Sequence, residues 1–138
     1  MEILSPPGWP RPSGHAHGVA AVGRLVFVAG QIGWGADGEF ASDELVGQTR
    51  QALENCLTVL REAGAGPEHV ARMTWFVADR EDYRAKRAEI GRIYRELMGS
   101  AYPAMSLVEV RLLEPRALVE IEVTAVVPAR PGAPAAAG

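Results

Sequence analysis

The stretch SAYPAMSLVEVRLLEPRALVEIEV, Ser100 to Val123, places carboxylates at Glu109, Glu114, Glu120 and Glu122 within a pattern that otherwise alternates like sheet. Two kinds of chemistry compete for them. Acids on a solvated sheet face, or paired with Arg111 or Arg116, are ordinary surface residues. A carboxylate in a partly closed cleft can orient a water or take a proton. Glu120 and Glu122 share one side of their strand with Thr124 and are the candidates for that second role. Arg87 is the matching cation. It falls on an otherwise apolar stripe of Tyr83, Ile90, Tyr94 and Leu97. Its stem either runs along the core edge with its head in water, or its guanidinium binds an anion.

Other residue types offer less. His15 and His17 form H-A-H and point one way in an extended arm, but no third ligand follows at useful spacing, so a pocket rim or hairpin edge suits them better than a metal. The glycines of AGQIGWGADG have no Lys-Ser/Thr and no strand-turn-helix context, which excludes a phosphate loop. Gly30 reads as a point in a strand where backbone or ligand comes close. Cys56 lies on a helical apolar stripe and reads as a buried core thiol.

The elements that must position these residues follow from periodicity. His17–Val22 and Arg24–Ile32 flank Gly23 and predict a hairpin. Ser42 or Asp43 caps a helix with apolar positions from Leu45 to Ala63, stopped by Gly64. Val70–Ala78 is a strand, and Asp79 caps a second helix to about Met98. Strands over about 104–113 and 117–127 close the order β-β-α-β-α-β-β. That order predicts an α+β fold, a mixed sheet with both helices on one face. On the last strand Val119, Ile121, Val123 and Ala125 face one side; Leu118, Glu120, Glu122, Thr124 and Val126 face the other. The second, half-polar side suits a cleft closed by another subunit.

The 138 residues predict one domain over 15–127, an extended Pro- and Gly-rich arm over 1–14 and a disordered tail over 128–138. A net charge of −3 without a basic stripe argues against nucleic-acid binding. A single cysteine fits a reducing compartment. MEILSPPGWP lacks the features of a secretory signal, and no apolar stretch approaches the ~20 residues of a membrane helix. A cytoplasmic protein is the default expectation.

Four segments, GHAHGVAAVGRLVFVAGQIG, QTRQALENCLTVLREAGAGPEHVARMTWFVAD, YPAMSLVEV and VEIEVTAVV, together resemble the RidA family, also called YjgF/YER057c/UK114. The resemblance covers nearly all of residues 14–127 and rests on combined spacing rather than one motif. It implies a chorismate-mutase-like fold, a homotrimer with ligand clefts between subunits, and hydrolysis of enamines and imines to a carbonyl compound and ammonia without cofactor or metal. It implies that Glu120 positions the attacking water. Met105 falls where active members hold a carboxylate-binding arginine. His15, Ala29 and Leu107 fall on pocket positions, and Arg87 on a helix position facing the cleft. Exchange of a buried charge-assisted contact for a thioether costs ~2–5 kcal/mol of binding. Efficient hydrolysis of 2-aminoacrylate is therefore not expected, and a larger or less acidic ligand suits a pocket of Met105, Leu107, Ala29 and Trp34. A non-catalytic trimer that binds a small metabolite is the rival reading. Ribonuclease or translation-inhibitor activity, known for some members, is the distant one.

Overall fold

A computed structural model describes residues 1–129 of the chain. Along it run β1 (Glu2–Leu4), β2 (Gly18–Ala20), β3 (Arg24–Ile32), α1 (Leu45–Glu62), β4 (Val70–Val77), α2 (Arg80–Ala85), α3 (Arg87–Met98), β5 (Ala104–Glu109) and β6 (Val119–Val127). The main sheet has the order β3-β6-β4-β5. β4 and β5 are parallel, while β6 is antiparallel to both β3 and β4, so the sheet is mixed as the pattern predicts.

Alternation on β6 decides which face is buried. Val119, Ile121, Val123 and Ala125 are all buried, beside Met73, Trp75 and Val77 of β4. Onto this face α1 lays Leu45, Ala52, Leu53, Cys56, Leu57 and Leu60, and α3 lays Ile90, Ile93, Tyr94 and Met98. Full burial of each Leu, Ile or Met among them contributes roughly 1.5–3 kcal/mol. The helices leave the other face to solvent. Phe27 on β3 is 72% exposed and Leu25 is 59% exposed. Both pair in register with outward residues of β6, Phe27 with Thr124 and Leu25 with Val126.

Gln48 joins the buried stripe of α1, which apolar periodicity alone does not anticipate. It is fully buried yet satisfied. Its Nε2 donates to the carbonyls of Ser42 (3.1 Å) and Arg116 (3.0 Å), and its Oε1 accepts from Leu118 N–H (2.8 Å). Gly33 leaves room for it, since a Cβ there would stand 2.6 Å from Gln48 Cβ. The loop before α1 is thereby tied to the residues that lead into β6.

Several expected elements differ. The hairpin of His17–Val22 with Arg24–Ile32 does not form. β2 pairs with β1, Glu2 opposite Ala20 and Leu4 opposite Gly18, while β3 pairs with β6. Gly23 does not turn the chain back on β2. A Cβ at Gly23 would stand 2.8 Å from the Val127 carbonyl carbon, so the missing side chain lets β3 begin against the end of β6. The arm over 1–14 is accordingly not without regular structure, since β1 lies in it. The expected single helix from Asp79 is two. The Lys86 amide donates to both the Asp82 and Tyr83 carbonyls, which tightens the last turn of α2, and an Asp82–Lys86 ion pair of 2.8 Å braces the bend. Asp79 does cap α2, accepting from Glu81 and Asp82 N–H. The N-cap of α1 is Glu44, not Ser42 or Asp43. Ser42 Oγ instead accepts from Glu44 N–H, and Asp43 pairs with Arg116 at 2.8 Å. Of the tail expected over 128–138, residues 130–138 lie outside the described residues.

Candidate functional site

β4 separates the candidate residues into two groups. Met105 on β5 stands opposite Met73, and Leu107 opposite Trp75, both core-facing residues of β4. Glu120 on β6 stands opposite Phe76. Met73 and Phe76 are an odd number of residues apart, so they point to opposite faces. Met105 and Leu107 therefore belong to the helix side, and Glu120 to the outer face.

On the outer face, Glu120 lies across the bare backbone of Gly30. A Cβ at Gly30 would stand 2.8 Å from Glu120 Cδ. The close approach read from the glycine is thus made by the carboxylate itself. Glu120 is half-buried, and no described residue forms an ion pair with it. Arg116, one of the two suggested partners, pairs with Asp43 and lies 5.0 Å over the Phe40 ring. Ala29 is exposed beside Gly30, and its carbonyl accepts from Gln31 Nε2 at 3.0 Å.

On the helix side a cavity of about 470 Å³ opens beside β5. His15, Arg87, Met105 and Leu107 all line it, with Trp75, Tyr83, Tyr94, Arg95 and Tyr102. The arm brings His15 there: the Ala16 N–H donates to the Pro103 carbonyl at 3.0 Å. His15 Nδ1–H donates to the Ser13 carbonyl at 3.0 Å. Burial raises the Tyr83 hydroxyl above its ordinary pKa, and the neighbouring Arg87 charge partly opposes this. Burial raises Tyr94 as well, and its hydroxyl donates to the Ala101 carbonyl at 2.6 Å.

The remaining acids and thiol have structural duties. Glu109 accepts the Arg80 N–H at 2.8 Å at the start of α2, and Glu114 accepts the Arg116 N–H at 3.2 Å within its turn. Glu122 is exposed. Cys56 Sγ faces the Ile121 carbonyl at 3.6 Å, and burial pushes the thiol up to about 12. His17 Nε2–H donates to the Pro10 carbonyl at 2.9 Å, and no group of three or more potential metal ligands occurs among the described residues. Trp34 stays out of the cavity and packs on Phe40, with ring centroids 6.1 Å apart.

A family model described as Endoribonuclease L-PSP matches residues 10–127. The chain belongs to the RidA (YjgF/YER057c/UK114) family. RidA-family likeness extends through the whole fold. A protein of the Rid family from Yersinia pestis superposes with a TM-score of 0.81 at 35% identity, covering 91% of this chain and 98% of that one. A RutC family protein from Pyrococcus abyssi is 33% identical over 90% of this chain and 95% of its own length. A protein from Capra hircus named 2-iminobutanoate/2-iminopropanoate deaminase is 30% identical over 90% of this chain and 88% of its own.

Within this RidA-family frame, four of the seven sequence-selected residues share the cavity, and Ala29, Gly30 and Glu120 stand apart from it. Met105 and Leu107 lie on β5 and Ala29 on β3, so one chain does not by itself bring together the pocket of Met105, Leu107, Ala29 and Trp34 expected in a cleft between subunits. β3 and β5 are the two edges of the sheet, three strand spacings or roughly 14 Å apart. Trp75, Arg95 and Tyr102 are cavity residues that sequence reasoning did not select. The four-residue steps from Arg87 through Gly91 to Arg95 were the available signal for one of them.

Proposed function

We propose that this chain is an enamine/imine deaminase of altered substrate range, with a site completed between copies of the chain. Water held by Glu120 adds to the imine carbon. One water proton passes by way of the carboxylate to the nitrogen, and collapse of the carbinolamine releases ammonia and leaves the carbonyl. The observation that carries this reading is the Glu120 carboxylate, seated over Gly30 on the face the helices leave open and without a cationic partner among the described residues. The name of the goat relative supports the reaction class.

The separation of the two groups supports assembly. If the β3 edge and outer face of one chain meet the β5 edge of the next, unlike surfaces are joined, and such contacts form a ring where the rotation between copies closes. Exposed Phe27 and Leu25 supply apolar area for that contact. A homotrimer is the expected ring, measurable by sedimentation. Met105 in place of an arginine shifts the substrate away from the smallest imino acids.

The test is incubation with imines generated enzymatically from several amino acids. Turnover above buffer that disappears in Glu120→Ala upholds the reading; equal rates for protein, variant and buffer end it. The apolar Met105 and Leu107 in the cavity wall favour a second reading, a binding protein without turnover. That reading expects ligand-dependent thermal shifts and no ammonia release.

A further inference from the structure

β3 does not meet β6 in one unbroken register. Val28 stands opposite Val123 and Gln31 opposite Ile121, so Ala29 and Gly30 together face the single residue Glu122. This is a β-bulge, and its extra residue reverses the alternation of the strand that carries it. Before it, Val26 and Val28 point to the helices with Ala125 and Val123; after it, Gln31 does so opposite Ile121. Gly30 and Ile32 are thereby turned to the outer face, where Ile32 stands opposite Glu120 and Gly30 lies under the carboxylate. Without the extra residue Gly30 would point toward the helices.

The bulge is held from outside the sheet, because past it β3 keeps only Gln31 and Ile32 in register with β6. The hold comes from α1. Asn55 Nδ2 donates to the carbonyls of Ile32 (3.1 Å) and Trp34 (2.8 Å). Its Oδ1 accepts from Gln51 Nε2 at 2.9 Å, so the amide is fixed at both ends. Between the two bonded carbonyls, Gly33 meets the helix without a side chain; a Cβ there would stand 2.7 Å from Gln48 Cα. Gln31 Nε2 closes back on the Ala29 carbonyl at 3.0 Å and braces the bulge from within. On the same helix Gln48 ties down the residues that lead into β6. One helix therefore fixes both strands of the Glu120–Gly30 contact. Asn55 lies on the helix side of the sheet and Glu120 on the other, so its influence on Glu120 runs through the backbone of residues 30–34.

We propose that Asn55 is a positioning residue for the reaction. Through the Ile32 and Trp34 carbonyls it fixes the bulge, and the bulge fixes Gly30 as the floor on which the Glu120 carboxylate rests. A general base works only within a narrow range of distance and direction to its water, and a displacement of about 1 Å can cost roughly 10²-fold in rate. The inference rests on the deaminase reading for its effect on rate; the hold of Asn55 on Gly30 does not depend on turnover.

Asn55→Ala leaves both carbonyls without their donor. Assayed at a temperature where circular dichroism shows the variant folded, kcat should fall by roughly 10²-fold while KM stays within about twofold. Leu53→Ala is the control. It removes a fully buried core side chain of the same helix and should lower the denaturant midpoint without lowering kcat. Glu120→Gln combined with Asn55→Ala should be no slower than Glu120→Gln alone, because a residue that acts through Glu120 then has nothing left to position. Should Asn55→Ala not fold, Gln51→Ala, which frees the amide to rotate, should show a smaller kcat loss in the same sense. An unchanged kcat in the folded variant, a rise in KM alone, a kcat loss matched by Leu53→Ala, or additive losses in the double variant overturns the proposal. If the wild-type protein turns over no imine, the deaminase reading falls and crystal structures decide. Gly30 and the Glu120 carboxylate displaced in the folded variant, relative to wild type, keep the positioning role, and an unmoved pair ends it.

Discussion

The outer sheet face around Glu120 and the helix-side cavity around Arg87 are built on opposite principles. The first is sparse: a carboxylate over a glycine, on the face that also exposes Phe27 and Leu25 of β3. The second is a cavity rich in rings and positive charge. A proton-handling group gains from standing where nothing neutralises it, and a recognition pocket gains from many fixed contacts. One sheet cannot put both around the same ligand, because β4 turns Met105 and Glu120 to different faces. On the proposed function this division lets chemistry and recognition be changed separately, and it can be broken by mutation one side at a time.

The largest effect should come from Glu120→Gln. Loss of general-base work lowers the hydrolytic rate by about 10²–10⁴. Steady-state kinetics should show the loss in kcat, while KM moves little. If KM rises as kcat falls, the two regions are not separable. Next comes the tie that holds β6 in place. Gln48→Leu leaves the Leu118 N–H and the Arg116 carbonyl without their partner, at about 1–3 kcal/mol for each unpaired group. The melting temperature should fall, and the loss in turnover at low temperature should exceed the loss in ligand affinity, since Leu118 leads directly into Glu120.

Met105→Arg tests the other side. A guanidinium on the cavity wall should raise kcat/KM for 2-aminoacrylate by roughly 30-fold or more, the converse of a lost contact of ~2 kcal/mol. No gain would mean that the outer face lacks the machinery, whatever the cavity binds. Gly30→Ala is a smaller perturbation of the first region. The new Cβ overlaps Glu120 and pushes the carboxylate aside. Overpacking of this kind costs typically 1–3 kcal/mol where it cannot relax, and less at a half-buried edge. Turnover should drop with little change in cavity binding.

The fold was largely legible because β6 has two unlike faces. Val119, Ile121, Val123 and Ala125 repeat at the strand period, and the stripe on α1 does the same at the helix period. The lost hairpin was not legible, because β3 chooses β6, almost a hundred residues away, and local alternation carries no pairing information. The same limit applies to the site. Gly30 and Glu120 touch across two strands, so each was selected without its partner being apparent. Arg95 was not selected from the sequence, and only the fold shows that Gly91 leaves room for its guanidinium beside the cavity. Trp75 read as one more strand residue, since an unpaired indole N–H is a property of packing and not of sequence.

The smallest expected effect concerns what lies between the two regions. Cys56 sits beneath β6, its thiol facing the Ile121 carbonyl. Burial raises its pKa from 9.0 to about 12. Between those values the unfolded chain has lost the thiol proton while the folded chain keeps it, so stability falls as pH rises from about 9 toward 12. Tyr83 and Tyr94, also raised by burial, act in the same direction. Cys56→Ala should therefore flatten the alkaline fall in denaturant midpoint without abolishing it. Because this thiol supports the core and neither site, alkaline unfolding should take turnover and cavity binding away together. Separate alkaline midpoints for the two activities would show that the halves of the molecule are less tightly joined than their shared core indicates.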